Sequence, residues 1–411
     1  MQSEAGPEIS EEGIGEIPSW REVKQVIPAH CFETHLGKSF LSLGFSLALT
    51  LLVGWAAAVW IPLTWAALPL WIAYAVVNGT IAVGCWVVAH ECGHYAFCKS
   101  KPLQDTIGFF LHSALLVPYF SWQRSHAIHH ANTNHLTSGE THVPVRLDSR
   151  SGQFKWQLRQ RLGKTLYGMF VLFGLVVGWP LYLLIGVTGG SKYGVTNHFW
   201  PYWPFSGSLF PGRWKGKVLV SAAGVFTVLG ALGAVAYQIG SIWPLIALYG
   251  GPYLVVNAWL VTYTWLHHTE EDIPHLDDDT WNPVRAAFLT VDRPYGPIVD
   301  RLHHRIGTTH VVHHLFSRIP HYHAREATRA VKEHFPDLYL YDDTPIWKAI
   351  WRTAHRCVVV DWDVKDWMYK KIDADRVKAA VEVRPASVSL RNRSHSPDSS
   401  APPHRHQRTS G

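Results

Sequence analysis

The chain has 411 residues and a net charge of +6, with only 17% charged residues, 20 tryptophans and 26 histidines. So little charge, gathered around long uncharged runs, excludes a pair of ordinary soluble domains. Lys155, Arg159, Arg161 and Lys164, with Arg213, Lys215 and Lys217, flank apolar runs, which fits positive-inside anchoring better than nucleic-acid binding.

Residues 1–36 read as a polar leader. Glu4, Glu8, Glu11, Glu12 and Glu16 make it acidic, unlike the basic start of a cleavable signal peptide, so the first span is expected to act as an uncleaved signal-anchor. No Asp, Glu, Lys or Arg lies between Lys38 and Glu91. About 20 apolar residues cross a bilayer, so this run holds two spans, Ser39 to about Trp60 and about Leu70 to Ala89, with a turn between Pro62 and Pro69. Residues 107–120 are apolar but too short to cross, as expected of an interfacial or re-entrant segment. Residues 137–164 are polar.

Three further apolar segments follow, at about 166–187, 218–238 and 243–266. The last two meet near Gly240 and form a second hairpin. Gly178-Trp179-Pro180 interrupts the first, and proline removes a helical hydrogen bond. Segment 166–187 is therefore expected to dip and return, or to lie in the interface, without crossing. Beyond Asp277-Asp278-Asp279, the chain to about 375 reads as a cytosolic helical cap. Residues 376–411, rich in Ser, Pro, Arg and His, read as a disordered tail. The fold class is all-α: about four transmembrane helices in two hairpins, re-entrant or interfacial segments, and a cap over residues 37–375. The five cysteines (Cys31, Cys85, Cys92, Cys98, Cys357) show no framework spacing and read as reduced thiols.

Three histidine clusters carry the chemistry: His90-Glu91-Cys92-Gly93-His94, His126-Ala127-Ile128-His129-His130 and His310-Val311-Val312-His313-His314. On a helix, positions i, i+3 and i+4 share a face. The first cluster can aim two imidazoles at one point, and the others three each. Eight nitrogen donors exceed the four of an ordinary zinc site and fit two metals. Imidazole alone leaves iron, copper, zinc and nickel open. A shared site requires all three clusters on one side of the bilayer, and so an even number of crossings between His130 and His310.

Read alone, His90-Glu91-x-x-His94 is the H-E-x-x-H pattern of zinc metalloproteases, with Glu91 as general base. That reading leaves six clustered histidines unexplained. A histidine-rich transporter would place its ligands inside the spans, whereas these clusters follow the ends of spans.

Together the three clusters resemble the histidine boxes of membrane fatty acid desaturases, most closely the methyl-end Δ12 (oleate) group of fungi and plants. Ile27-Pro28-Ala29-His30-Cys31-Phe32 is similar to that family's amino-terminal signature. Val291-Asp292-Arg293-Pro294-Tyr295-Gly296 and Leu315-Phe316-Ser317-Arg318-Ile319-Pro320-His321-Tyr322-His323-Ala324 are similar to its carboxyl-terminal ones. The resemblance covers about residues 20–340. Thr137 to Pro144 departs from the most familiar version of the family's sequence but keeps its Val-Pro ending.

The resemblance implies a di-iron centre on the cytosolic face of the endoplasmic reticulum, held by His90, His94, His126, His129, His130, His310, His313 and His314. Related desaturases use one more histidine after the last span. Trp265-Leu266-His267-His268-Thr269 resembles that region, and His268 aligns better than His267. His135, His142, His303, His304, His321 and His323 are left to structural or orienting roles, as is Glu91. The implied reaction is cis desaturation at Δ12 of an oleoyl chain, probing carbon position by depth in a closed tunnel. It consumes dioxygen and two electrons, supplied by separate cytochrome b5 and its reductase, since the chain lacks a His-Pro-Gly-Gly haem motif. A Δ15 desaturase, a hydroxylase or a conjugase of the same family would share these ligands.

Overall fold

The long uncharged runs are helical in the computed structural model, which describes residues 16–360 and Tyr369. Among the described residues there is no strand, only isolated bridges such as His135 with Leu276. A short helix, α1 (Trp20–Val26), opens the described chain. It is fixed by a capping box in which Ser19 and Glu22 satisfy each other's backbone amides. Helices α2 (Leu36–Trp60) and α3 (Leu68–Gly93) form the first hairpin. Two helices follow on the histidine side, α4 (Lys101–Ala114) and α5 (Tyr119–Ala131). Then comes α6 (Arg150–Ile185). The second hairpin is α7 (Trp214–Ile239), then α8 (Trp243–Leu245), a π turn (Ile246–Gly250) and α9 (Gly251–Leu266). Gly240 closes α7 at φ 72°, the left-handed cap that glycine adopts without strain. The cap adds α10 (Pro283–Phe288), α11 (Pro297–Leu302), α12 (His310–Leu315), α13 (His321–His334) and α14 (Ile346–Arg356).

Among the described residues, five segments are long and apolar enough to cross a membrane: 36–60, 65–93, 150–185, 214–239 and 243–266. The α3 segment is mostly buried and the other four largely exposed, so α3 is the central post and the rest present apolar surface outward. Glycines let α3 approach its neighbours. A Cβ on Gly79 would lie 2.5 Å from the Val255 Cβ and 2.7 Å from the Pro252 carbonyl oxygen of α9. One on Gly84 would lie 2.8 Å from the Ser46 hydroxyl of α2. Small residues at such crossings are the usual means of close helix contact in membranes.

The interruption expected at Gly178-Trp179-Pro180 is not where α6 breaks. The helix runs through Pro180, and its one non-helical residue is Gly163 (φ 70°, ψ 174°). That backbone region is essentially open to glycine alone. Pro180 costs the helix one donor, while the adjacent Trp179 and Tyr182 are buried against Trp86, Val87 and Leu260. A dip and return within 166–187 is therefore excluded, because the segment is one continuous helix. Both of its ends meet the histidine-side layers. Gly168 faces the Trp351 ring of α14, which a Cβ would approach to 2.8 Å, and the Tyr182 hydroxyl donates to Glu140 at 2.6 Å.

Residues 16–36 are not a detached leader. Val23, Ile27 and Cys31 are buried with Val311, Val312 and Ala327. The cap is also tied to α9 by Arg293, which is fully buried. Its Nε donates to the Leu266 carbonyl at 2.9 Å, and its guanidinium pairs with Glu270 and Asp342. Arg352 binds the same two carboxylates at 2.6 Å each. Burial alone would push Asp342 up, but Arg293, Thr344 and Arg352 outweigh it and hold its carboxyl down at about 2. The tail expected over 376–411 lies outside the described residues.

Candidate metal centre

Four elements deliver histidines to one region. His90 lies on the last turn of α3, and His94 is the residue that ends it. The α5 helix carries His126, His129 and His130, and α12 carries His310, His313 and His314. His268 stands just past the end of α9.

The imidazoles divide into two adjoining groups. Ring nitrogens of His90, His94, His126, His130 and His313 lie within 4.8 Å of one another, as do those of His129, His268 and His314. His310 joins the second group through its Nε2, 3.0 Å from that of His268. His130 and His314 stack with centroids 4.1 Å apart, so the two groups touch. His268, not His267, faces this region. His267 spends its Nδ1 on the Val291 carbonyl and its Nε2 on the Tyr295 hydroxyl.

The donor chemistry fits cations. His126 Nε2 lies 2.9 Å from His90 Nε2 and 3.2 Å from His130 Nε2. A neutral imidazole carries one N–H, so one proton cannot satisfy both approaches. The Nε2 atoms of His94, His313 and His314 are buried without any partner, and such orphans are rare unless something else occupies the gap. Burial pushes His94 and His129 down to about 3, which keeps their lone pairs free at neutral pH. Such a set suits divalent metals that accept imidazole.

Orienting contacts come mostly from groups other than carboxylates. Thr133, one turn after His129, donates its hydroxyl to the His129 carbonyl at 2.8 Å and lies 3.0 Å from His314 Nδ1. Trp86 stacks on His90 at 5.4 Å. Asp292 accepts the Val311 amide at 2.8 Å and so holds the α12 backbone rather than a ring. The i+4 spacing of Thr133 from His129 is readable in the chain, but its contact with His314 is not. Glu91 accepts both the amide and Nδ1 of His321, at 2.5 and 2.6 Å. A carboxylate so engaged is poorly placed as the base of a metalloprotease. His303 and His304 are also held locally, by Tyr263 and Ser46. His135 lies 3.3 Å from Asp278, and His142 stacks behind His268 at 6.4 Å.

A small pocket, with room for little more than water, lies beside His90, His94 and His313, lined by Val87, Ile306, Val312 and Ile319 together with Glu91, Thr309 and Ser317. It places apolar surface directly against the histidine nitrogens.

Residues 63–345 match the sequence model of the family described as fatty acid desaturase. The chain belongs to the fatty acid desaturase family. It is 40% identical over 369 residues to a Delta(12)-acyl-lipid-desaturase of Punica granatum, covering 87% of this chain and 92% of that one. An omega-6 fatty acid desaturase, endoplasmic reticulum isozyme 1, of Glycine max is 40% identical over 344 residues, with 83% and 86% covered. A bifunctional desaturase/conjugase of Vernicia fordii is 40% identical over 350 residues, with 84% and 87% covered. As a member of this family the chain is an oxidoreductase of the membrane, acting on a fatty acyl substrate.

Proposed function

We propose that this chain is a Δ12 acyl-lipid desaturase of the endoplasmic reticulum, converting oleoyl to linoleoyl chains. The observation that carries this reading is the convergence of nine imidazoles, five buried and four partly buried, with orphaned Nε2 atoms. It is joined by the similarity to Δ12 enzymes over most of the chain. The five-histidine group His90, His94, His126, His130 and His313 would hold one iron, and His129, His268, His310 and His314 the other. Two irons with dioxygen supply the oxidant that an unactivated C–H bond demands; zinc has no redox chemistry.

The protein's part is position and exclusion of water. Val87, Ile306 and Val312 offer apolar surface beside His90 and His313, against which an acyl chain would lie once the pocket widens to admit it, and its depth would select the carbons that react. Across the reaction two C–H bonds break and one C=C forms. Dioxygen, two electrons and two protons become two waters. Cytochrome b5 and its reductase fit as the separate electron source.

Two hairpins, α2–α3 and α7–α9, cross the bilayer, and α6 beyond Gly163 lies along the histidine side without crossing. The catalytic unit proposed for residues 37–375 is joined by residues 16–36, which pack into its cap, with 376–411 proposed as a tail. The equal identity to a bifunctional desaturase/conjugase favours a second reading in which conjugated products also form at the same site.

Expression in yeast that makes only monoenes tests both. Linoleate is expected by gas chromatography and mass spectrometry, and is lost with His313→Ala at equal protein level. Absence of any diene from well-expressed protein overturns the Δ12 reading. Conjugated products would establish the second.

A further inference from the structure

Two motifs that the histidine centre does not use meet elsewhere in the cap. His30 and Cys31 lie in a 3₁₀ turn, Ala29–Phe32, and His323 and Glu326 lie at the start of α13. One ligand atom from each of these four residues lies within 4.8 Å of the others. His30 Nε2 is 2.9 Å from Glu326 Oε2 and 3.8 Å from Cys31 Sγ. The rings of His30 and His323 meet edge-on at 5.4 Å. Cys31 is 0% exposed and His323 7% exposed, while the His30 and Glu326 side chains are about half exposed and cover them.

The plain account is a surface ion pair of His30 and Glu326 over a buried thiol. Such an exposed pair contributes little, and this one leaves the His323 Nε2 unexplained. That atom is buried with no partner. A buried orphan nitrogen beside a thiol, a second imidazole and a carboxylate is a ligand set lacking only its ion.

We infer that Cys31, His30, His323 and Glu326 form a structural zinc site, separate from the histidine centre. One thiolate, two imidazoles and one carboxylate supply four donors of the types zinc takes in closed tetrahedral sites. The mixed sulfur, nitrogen and oxygen set contrasts with the all-imidazole centre. Binding releases the Cys31 thiol proton to solvent, and the metal takes the sulfur lone pair in its place. The site ties the amino-terminal segment to α13. On that helix His321 reaches Glu91, the neighbour of His90, and Tyr322 receives the His35 amide at 2.7 Å. Zinc would therefore fasten the layer that covers the catalytic histidines without touching substrate.

The test uses the full chain purified without a polyhistidine tag. Elemental analysis is expected to give about one zinc per chain beside the iron. Cys31→Ser should lose at least nine-tenths of that zinc and keep its iron. After exchange with cobalt(II), a near-ultraviolet sulfur-to-cobalt band is expected in the parent and not in Cys31→Ser. The histidine centre contributes no such band, since Cys92 packs with Val88 and Phe97 rather than among the imidazoles. Should Cys31→Ser not fold, the half-exposed Glu326→Ala is read instead, with zinc affinity expected to fall at least tenfold. Less than a tenth of a zinc per chain with no cobalt band overturns the site, as does a band that survives in Cys31→Ser or an affinity unchanged in Glu326→Ala.

Discussion

Thr133 decides which nitrogen of His314 is bare. Its hydroxyl hydrogen is committed to the His129 carbonyl, so its oxygen can only accept from His314 Nδ1–H. That fixes the tautomer and leaves Nε2 as an unprotonated donor, the atom found buried without a partner. Partners of this kind typically govern 10–100-fold in metal affinity or activity. Thr133→Val keeps the shape and removes the contact. It is expected to lower iron content and linoleate formation about 10- to 100-fold with unchanged expression, measured by elemental analysis and product profiling. The same logic separates His268 from His267. Spacing along the chain cannot rank two adjacent histidines, since each lies about 100° from the other around a helix. The ranking comes from Val291 and Tyr295, which take both nitrogens of His267 and lie far along the chain.

At the scale of elements, the histidines are held in register by helix crossings. α3 bears His90 and α9 leads to His268, and the two helices close on each other at Gly79 against Pro252 and Val255. Overpacking a tight contact costs about 1–3 kcal/mol, and here one of the clashing atoms is backbone. Gly79→Ala is expected to spread the two helices and reduce iron loading several-fold. Gly230→Ala on α7, where a Cβ meets nothing within 4 Å, is the silent comparison; equal loading in both variants would refute the crossing argument.

The spans and the three boxes were legible because both are local patterns, an uncharged run and an i, i+3, i+4 spacing. The break in α6 was misplaced because proline is the louder breaker in a sequence. Gly163 breaks the helix through a positive φ that no neighbour announces. α1 is not legible in the sequence because seven residues are too few to show a period. Its burial of Val23 depends on α12 and α13, which lie nearly 300 residues away.

For the whole molecule, placing nine imidazoles in one region sets the sidedness of every connection. α2 starts at the cap, where Ser39 donates to the Phe97 carbonyl at 2.7 Å. Its 25 residues span about 37 Å at 1.5 Å per residue, enough to cross a core of about 30 Å. On the proposed topology the turn around Thr64 would lie on the opposite side. α7 starts beside α5, with the Phe120 amide donating to Ser221 at 2.8 Å, so on the same topology the turn at Gly240 and Ser241 would also be opposite. α6 differs, because Gly168 and Tyr182 both touch the histidine-side layers. On the proposed topology its exit, including Ser191, would stay on the side of the cap. Of the native thiols, Cys31, Cys85, Cys92 and Cys98 are buried, and the partly exposed Cys357 is replaced by serine in the labelling background. In sealed microsomes an impermeant thiol reagent is expected to label Ser191→Cys directly. It should reach Thr64→Cys and Ser241→Cys only after permeabilisation. Labelling of Ser191→Cys only after permeabilisation would make α6 a fifth crossing. It would then place His130 and His310 on opposite faces, which one shared metal centre cannot accommodate.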